Sequence, residues 1–168
     1  TSNGACTLTR DRHVIMKIRA ADFETDWEGI LAGAWDFIQR MGDPDWVPTS
    51  RNRFETHLLQ LFRNPAFEIY IADDKDEIVA GIGIVRVPFM WNPDYTAVEE
   101  LFWWASPDAP PQAAISVLRH AIEAARADAA PREVLLTMKR LDTSPDGVGR
   151  LYDRLGLKHR EVSHTGVI

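Results

Sequence analysis

The sequence predicts an α/β fold built on a mixed sheet, and three stretches carry that prediction. The run Val98–Ala105 is mainly apolar and aromatic, stops at a proline-rich loop, and is followed by a helical pattern over Gln112–Asp128. Two runs rich in β-branched residues, Phe67–Ala72 and Glu77–Val87, flank a short polar segment and predict a β-hairpin. The nearly continuous apolar run over Glu133–Met138 is typical of a central strand.

The first third of the chain predicts one strand and two helices. His13–Arg19 alternates well enough for a first strand. Asp22 is a plausible cap for a helix whose apolar residues recur at intervals of three and four, namely Trp27, Ile30, Leu31, Ala34, Trp35 and Ile38. Thr49 or Ser50 can cap a second helix that ends before Asn64. Its predicted inner face consists of Phe54, Leu58, Leu61 and Phe62.

The second strand of the hairpin carries two glycines, and an aromatic loop follows it. Gly81 and Gly83 leave one face of that strand bare, and we expect Trp103 or Trp104 to fill the space. The loop Pro88–Tyr95 holds aromatic and other large apolar side chains, which either pack on the core or line a pocket.

The last part of the chain predicts a helix and the closing strands. Gln112–Asp128 has a stripe of small and branched apolar residues that lets it lie close to a sheet. A short helix over Val148–Leu155 is predicted to end at Gly156. Leu157–Val167 then supplies one or two closing strands.

Length and composition bound the kind of protein. The 168 residues predict a single domain over 1–168, with 1–12 as a loose tail. Cys6 is the only cysteine, so an intrachain disulfide and a cysteine metal cluster are both excluded. The five histidines show no tight ligand spacing with carboxylates, and we expect no metal.

The charge and the apolar runs bear on partners and location. The net charge of −6 argues against an extended nucleic-acid surface and suits a small cationic substrate such as an amine. No apolar run approaches the roughly 20 residues of a membrane span, so a cytoplasmic protein without membrane contact is expected. The sequence leaves the oligomeric state open, a homodimer included.

Glu99 and Glu100 are unusual in such an apolar strand. Adjacent strand residues point to opposite faces, so at most one of the two faces a site directly. By alternation, Glu100 shares its face with Phe102 and Trp104, whereas Glu99 shares its face with Leu101, Trp103 and Ala105. A solvated glutamate is the alternative for either residue.

Two short motifs and the order of elements resemble one family. Leu151–Leu157, with tyrosine, two polar residues and Leu-Gly-Leu, is similar to the ending of the GNAT family of acyl-CoA-dependent N-acyltransferases. Ala105–Asp108 resembles the Val-Asp-Pro-Glu with which the family ends its fourth strand. The element order matches that family from about Val14 to Val167. The resemblance implies a mostly antiparallel central sheet flanked by helices.

The resemblance also implies a function and a site. The function is transfer of an acetyl group from acetyl-CoA to the amine of a small molecule or a protein, by direct attack. Tyr152 would protonate the departing thiolate, and Glu99 or Glu100 would deprotonate the acceptor ammonium. The cofactor would meet backbone groups at Ala105, Gln112, Ala113, Ala114 and Ile115. The acceptor pocket would be shaped by Trp91, Trp103 and Trp104.

One segment departs from the family pattern and supports an alternative. Where the family has a glycine-rich loop that begins with arginine or glutamine, this chain has Asp108–Ile115, which holds neither glycine nor arginine. Pro110 and Pro111 lack N–H groups, and the side chains of Ala113 and Ile115 crowd the surface where phosphates would lie. The alternative is therefore a degenerate GNAT-like protein that acts as a binding module or uses another donor. A member acting on nucleic-acid bases is a third reading, which the absence of a basic stretch disfavours.

Overall fold

A computed structural model describes residues 16–41, 48–90, 92–127, 134–137 and 145–158. Within these residues the elements follow the order β-α-α-β-β-β-α-β-α. Their bounds are β1 Lys17–Ala20, α1 Phe23–Met41, α2 Arg51–Phe62, β2 Phe67–Asp74, β3 Glu77–Phe89, β4 Asn92–Ala105, α3 Ala113–Ala127, β5 Val134–Thr137 and α4 Pro145–Arg154.

One sheet holds all the described strands in the order β1-β2-β3-β4-β5. The first four strands pair antiparallel, and β5 pairs parallel to β4. α1 and α2 pack on one face of the sheet, here called the α1 face. α3 and α4 pack on the opposite face, here called the α3 face. The predicted fold class, a mixed and mostly antiparallel sheet flanked by helices, is confirmed.

The first two helices begin at the predicted residues. Asp22 caps α1, since its Oδ1 accepts hydrogen bonds from the N–H groups of Glu24 (2.9 Å) and Thr25 (3.2 Å). α2 begins after Ser50, whose side chain makes no capping hydrogen bond. The predicted inner faces of both helices supply core residues, of which the most buried are Ile30, Leu31, Ala34 and Leu58.

The predicted hairpin of β2 and β3 is confirmed and turns within two residues. Lys75 and Asp76 have φ angles of 56° and 68°, and Asp74 pairs with Glu77 directly beside them. Two consecutive positive φ angles are typical of a type I′ turn, whose twist matches that of the strands it joins.

The two glycines of β3 make room for aromatic rings of β4, as the sequence predicts. A Cβ at Gly81 would lie 2.9 Å from Nε1 of Trp104, and one at Gly83 would lie 2.6 Å from Cζ of Phe102. Trp104 thus fills the space at Gly81. The space at Gly83 is filled by Phe102 and not by either of the predicted tryptophans. Gly33 of α1 contacts the other side of the Trp104 ring. Trp104 is therefore enclosed between α1 and the sheet, with 2% of its surface exposed.

Several predictions fall on residues that the structure does not describe. These are the tail 1–12, the start of the first strand at 13–15, Trp91, and the closing strands beyond Lys158. Of the predicted closing segment, Leu157 and Lys158 are described, and they lie in no strand.

A buried ion pair ties β1 to α1. Arg19 Nη1 and Nη2 lie 2.6 and 2.9 Å from Asp26 Oδ2 and Oδ1, and Nη2 also lies 3.2 Å from Asp73. The N–H of Asp22 donates to Asp26 Oδ2 (2.7 Å). Asp26 is buried, and its hydrogen bonds to Arg19 hold its pKa below the ordinary value.

We expect Asp26→Asn to lower the free energy of unfolding by about 2–3 kcal/mol at pH 7, because the half-buried guanidinium of Arg19 loses one of its two carboxylates and the buried partner is the one removed. A carboxyl with a lowered pKa in the folded state stabilises the fold above its unfolded pKa, and this stabilisation is lost as the pH falls through the folded pKa. The variant should therefore lose less of its stability than the parent below about pH 4.

Urea unfolding followed by circular dichroism at pH 7 and pH 3 measures both effects. Asp36→Asn is the matched control, since Asp36 pairs with Arg40 on the same helix but is exposed. Such a surface pair contributes about 0.5 kcal/mol or less. Equal losses for the two variants would contradict the assignment.

Candidate active site

A β-bulge at Leu101 decides which way the glutamates of β4 point. Gly83 of β3 pairs with Phe102, and the next residue, Ile84, pairs with Glu100, so Leu101 has no partner of its own. Leu101 and Phe102 both pack on the α1 face. The alternation of side chains therefore breaks at this point of the strand.

The predicted alternation holds for Glu99 and Leu101, which share the α1 face, and fails between the glutamates and the residues beyond the bulge. Strict alternation places Glu99 on the same face as Trp103 and places Glu100 on the opposite face. In the structure Glu100 pairs with Ile84, which lies in the α3-face core, whereas Glu99 pairs with Val85, on the α1 face. Residues directly opposite each other in a sheet share a face. Glu100 therefore shares the α3 face with Trp103, and Glu99 lies on the α1 face.

Tyr152 of α4 reaches the α3 face beside Glu100. Its side chain packs against the α3-face core, and its ring centroid lies 6.4 Å from that of Trp103. Burial, and after it the charge of Glu100, raises the pKa of Tyr152 to about 12. Glu100 itself is 5% exposed. The structure thus brings together two of the three predicted catalytic residues and keeps the phenol neutral at physiological pH.

The end of α4 holds Tyr152 in a defined position. Gly156 has a φ of 81°, its N–H donates to Asp153 O, and the N–H of Leu157 donates to Tyr152 O, both at 3.0 Å. This is the Schellman arrangement, and it confirms Gly156 as the C-terminal glycine of the helix. The helix begins at Pro145, three residues earlier than predicted.

The second half of β4 has a free edge on the β5 side, as far as the described residues go. Among the described residues, β5 pairs with β4 over Thr96–Glu99, and Leu101–Ala105 lie beyond that pairing. At the end of the strand the Ala105 carbonyl accepts a hydrogen bond from Arg40 Nη2 (3.0 Å). An unpaired strand edge offers backbone N–H and C=O groups to a ligand. This edge lies next to the glutamate that neighbours Tyr152.

The start of α3 offers fewer N–H groups than the sequence predicts. The N–H of Ala113, one of the predicted anion donors, donates instead to Pro110 O (2.8 Å), and Ala113 is fully buried. The N–H groups of Gln112, Ala114 and Ile115 have no acceptor among the described residues. These three groups lie at the positive end of the helix, where an anion is favoured over a cation.

The predicted pocket residues lie in different surroundings. Nε1 of Trp103 donates to Ala114 O (3.0 Å), which ties this ring to the start of α3 beside Tyr152. Trp104 is enclosed in the core on the opposite face, so its burial does not support a role in an open pocket. Trp91 lies outside the described residues.

A cleft of about 720 Å³ lies away from these residues, on the α1 side of the molecule. It runs between α1, the β2–β3 turn and the end of β4, and none of the predicted site residues lines it. Its acidic lining consists of Asp26, Asp36, Asp73, Asp76 and Glu77, and its one basic lining residue is Arg19. The side chains with acid–base chemistry suited to the site, Tyr152 and Glu100, lie on the other face of the sheet from this cleft.

Among the described residues, no group of three or more histidine, cysteine or carboxylate side chains is placed so that it could hold a metal ion. In the same part of the chain, no helix is both long and apolar enough to cross a membrane.

Comparison with known proteins finds likeness in structure but not in sequence. No family model matches the chain, and no curated protein sequence matches it. A ribosomal-protein-alanine N-acetyltransferase from Brucella melitensis biovar Abortus 2308 superposes with a TM-score of 0.65 at 14% identity, over 91% of this chain and 98% of the other. A glucosamine-6-phosphate N-acetyltransferase from Arabidopsis thaliana gives a TM-score of 0.66 at 9% identity, over 90% and 97% of the two chains.

A third similar structure is an aminoglycoside acetyltransferase from an uncultured soil metagenomic sample. Its TM-score is 0.65 at 10% identity, over 91% of this chain and 96% of the other. The three proteins share an acetyltransferase fold over nearly their whole lengths. At identities this low the likeness establishes a common fold and leaves the activity to be argued from the site.

Proposed function

Since the chain has the fold of the GNAT acetyltransferases, we propose that it transfers an acetyl group from acetyl-CoA to the amine of an acceptor. The observation that carries the proposal is the meeting of Tyr152 and Glu100 on the α3 face. A neutral phenol next to a buried carboxylate supplies a weak acid and a base at one place.

Each residue has a defined part in the reaction. Acetyl-CoA, when bound, supplies the acetyl group as a thioester. Glu100 takes a proton from the acceptor ammonium, directly or through water, and leaves an amine that can attack the thioester carbonyl. Backbone N–H groups at the edge of β4 near Ala105 stabilise the negative charge that develops on the carbonyl oxygen. Tyr152 gives its proton to the sulfur as the C–S bond breaks.

The nearness of Tyr152 and Glu100 closes the proton balance. After transfer, Glu100 carries the proton taken from the ammonium, and Tyr152 has lost its own. With a pKa of about 12, Tyr152 as tyrosinate is a far stronger base than a carboxylate, so the proton passes from Glu100 to Tyr152 and both groups return to their starting states. The nitrogen loses its second proton to water as the amide forms, so the net result is an amide, a thiol and one proton released to the solvent.

The start of α3 fits a phosphate group of the donor with three N–H groups. Gln112, Ala114 and Ile115 supply these donors, and the helix dipole adds to them. The acceptor is a cationic amine, which suits the net charge of −6. Whether it belongs to a small molecule or to a protein is a matter for substrate profiling.

We expect acetyl-CoA to raise the melting temperature of the protein. A ligand at 100 times its Kd stabilises the native state by about 2.7 kcal/mol, which corresponds to roughly 5–10 °C for a chain of this length. Differential scanning fluorimetry with acetyl-CoA from 10 μM to 2 mM measures the shift, with acetate and adenosine as controls. A flat response over this range would contradict acetyl-CoA as the donor.

The occupied N–H of Ala113, together with Pro110 and Pro111, favours the alternative. In that reading the chain keeps the fold as a binding module or uses a donor without a pyrophosphate. An unchanged melting temperature with acetyl-CoA, together with transfer from an acyl donor that lacks the nucleotide, would support the second form of it.

A further inference from the structure

Three strands place Glu68, Ile84 and Glu100 side by side on the α3 face. Ile84 of β3 pairs with Glu68 of β2 on one side and with Glu100 of β4 on the other. Neighbouring strands lie about 4.8 Å apart, so the two glutamates flank Ile84 on its two sides. Ile84 is fully buried, and the row therefore crosses a region of low dielectric constant.

Arg86 is the cation of this row. It lies two residues beyond Ile84 in β3 and pairs with Val98 of β4, which is part of the α3-face core. Its side chain therefore points to the same face, diagonal to both glutamates. Arg86 Nη2 lies 3.3 Å from Glu68 Oε2. Glu100, on the other side of β3, holds the position that mirrors that of Glu68, at a diagonal separation that a long arginine side chain can span.

Among the described residues, the other charged or titratable groups facing this row come from three elements. Tyr70 of β2 donates its hydroxyl to Glu68 Oε2 (2.9 Å), and its ring meets His120 of α3 edge-on, with centroids 5.1 Å apart. α4 contributes Tyr152. β5, over Val134–Thr137, holds no titratable residue. Of these groups, only the guanidinium is positively charged at every working pH.

We propose that Arg86 is a positioning residue that keeps Glu100 ionised beside Tyr152 and thereby sets the pH range in which the site works. A buried carboxyl favours its neutral form unless a cation lies close to it. The low dielectric constant around Ile84 strengthens the attraction across β3. The consequence for catalysis rests on the proposed function, whereas the coupling between the two charges is a property of the protein without substrate.

The test is a titration of the Glu100 side-chain carboxyl by ¹³C NMR, with Glu100→Gln used to assign its resonance. Arg86→Met should move the pH midpoint of this titration upward by about 1 unit or more, because a neighbouring cation is lost. Arg86→Lys keeps a positive charge and should restore most of the difference. Arg126→Met, which removes an exposed arginine of α3, is the control and should leave the midpoint unchanged.

Glu68→Gln tests the same coupling with the opposite sign. It removes a competing carboxylate and leaves the guanidinium to Glu100, so the midpoint should move downward. This variant decides the matter if Arg86→Met fails to fold. An unchanged midpoint in Glu68→Gln and Arg86→Met, or equal shifts in Arg86→Met and Arg86→Lys, would overturn the proposal.

Enzyme activity is a second measurement, and it separates the proposal for Arg86 from the proposed acetyl transfer. In a functional enzyme, the acid limb of kcat/KM should move upward in Arg86→Met together with the NMR midpoint. A uniform loss of rate at every pH, with the midpoint unmoved, would assign Arg86 a merely structural role. Absence of acetyl transfer in the parent protein would overturn the proposed function, and the NMR titration would still decide whether Arg86 controls Glu100.

Discussion

Tyr152→Phe should lower kcat for acetyl transfer by about 100-fold or more and leave KM for acetyl-CoA within about twofold, because general acid catalysis contributes 10²–10⁴-fold. The substitution removes one hydroxyl from a half-buried ring and keeps the packing against Trp103 and the α3-face core. Release of the CoA thiol, followed with a chromogenic disulfide in the presence of an amine acceptor, measures the rate. Tyr95→Phe, on the first half of β4, is the matched control and should retain full activity.

The pH dependence of Tyr152 gives this prediction a second measurement. Its pKa of about 12 in the folded protein means that the phenol stays protonated through the working range, so it should add no alkaline limb to the rate below about pH 11. The unfolded phenol titrates near pH 10, so stability should fall between about pH 10 and pH 12, and less in Tyr152→Phe. Activity of Tyr152→Phe within twofold of the parent would remove Tyr152 from the mechanism.

Gly33→Ala should lower the free energy of unfolding by about 2–4 kcal/mol, at or above the upper end of ordinary overpacking. A Cβ at this position would overlap the six-membered ring of Trp104. The ring has no room to retreat, since Gly81 contacts its other edge and the side chain is 2% exposed. Helix α1 must therefore move away from the sheet, or Trp104 must leave its rotamer.

Gly29→Ala, one turn earlier on the same helix, is the control for Gly33→Ala. Its Cβ would meet the end of the Ile78 side chain at 2.9 Å, and that flexible end can turn aside. Alanine also has the higher helix propensity by about 1 kcal/mol, so this variant should be neutral or slightly stabilised. Urea denaturation of both variants checks the difference, and a loss below about 1 kcal/mol for Gly33→Ala would contradict the close approach of Trp104 to α1.

The parts of the fold that local patterns control follow from the sequence. Asp22 begins α1, Gly156 ends α4, and the two runs around Lys75 and Asp76 form a hairpin. Each of these features depends on residues a few positions apart, so a short segment of the sequence is enough to determine it. Tyr152 could be singled out in the same way, from the motif that surrounds it.

The part of the site that depends on strand pairing does not follow from the sequence. Leu101 looks like any other apolar residue of β4, yet the bulge there moves Glu100 to the face of Tyr152. No motif marks Arg86, whose place between Glu68 and Glu100 becomes visible only through the register of three strands. The hydrogen bond from the Ala113 N–H to the Pro110 carbonyl likewise depends on the path of the loop.

The sequence by itself thus determined the order of the elements, the helix ends, the hairpin, the resemblance to GNAT acetyltransferases and the candidate acid Tyr152. The tertiary structure alone decided that Glu100 is the carboxylate beside Tyr152, that Trp104 is core packing against Gly33, and that the start of α3 keeps three free N–H groups among the described residues. The reason is physical. Caps and turns are determined by neighbouring residues along the chain. A bulge, or the face of the sheet on which a side chain lies, is determined by residues on other strands and helices.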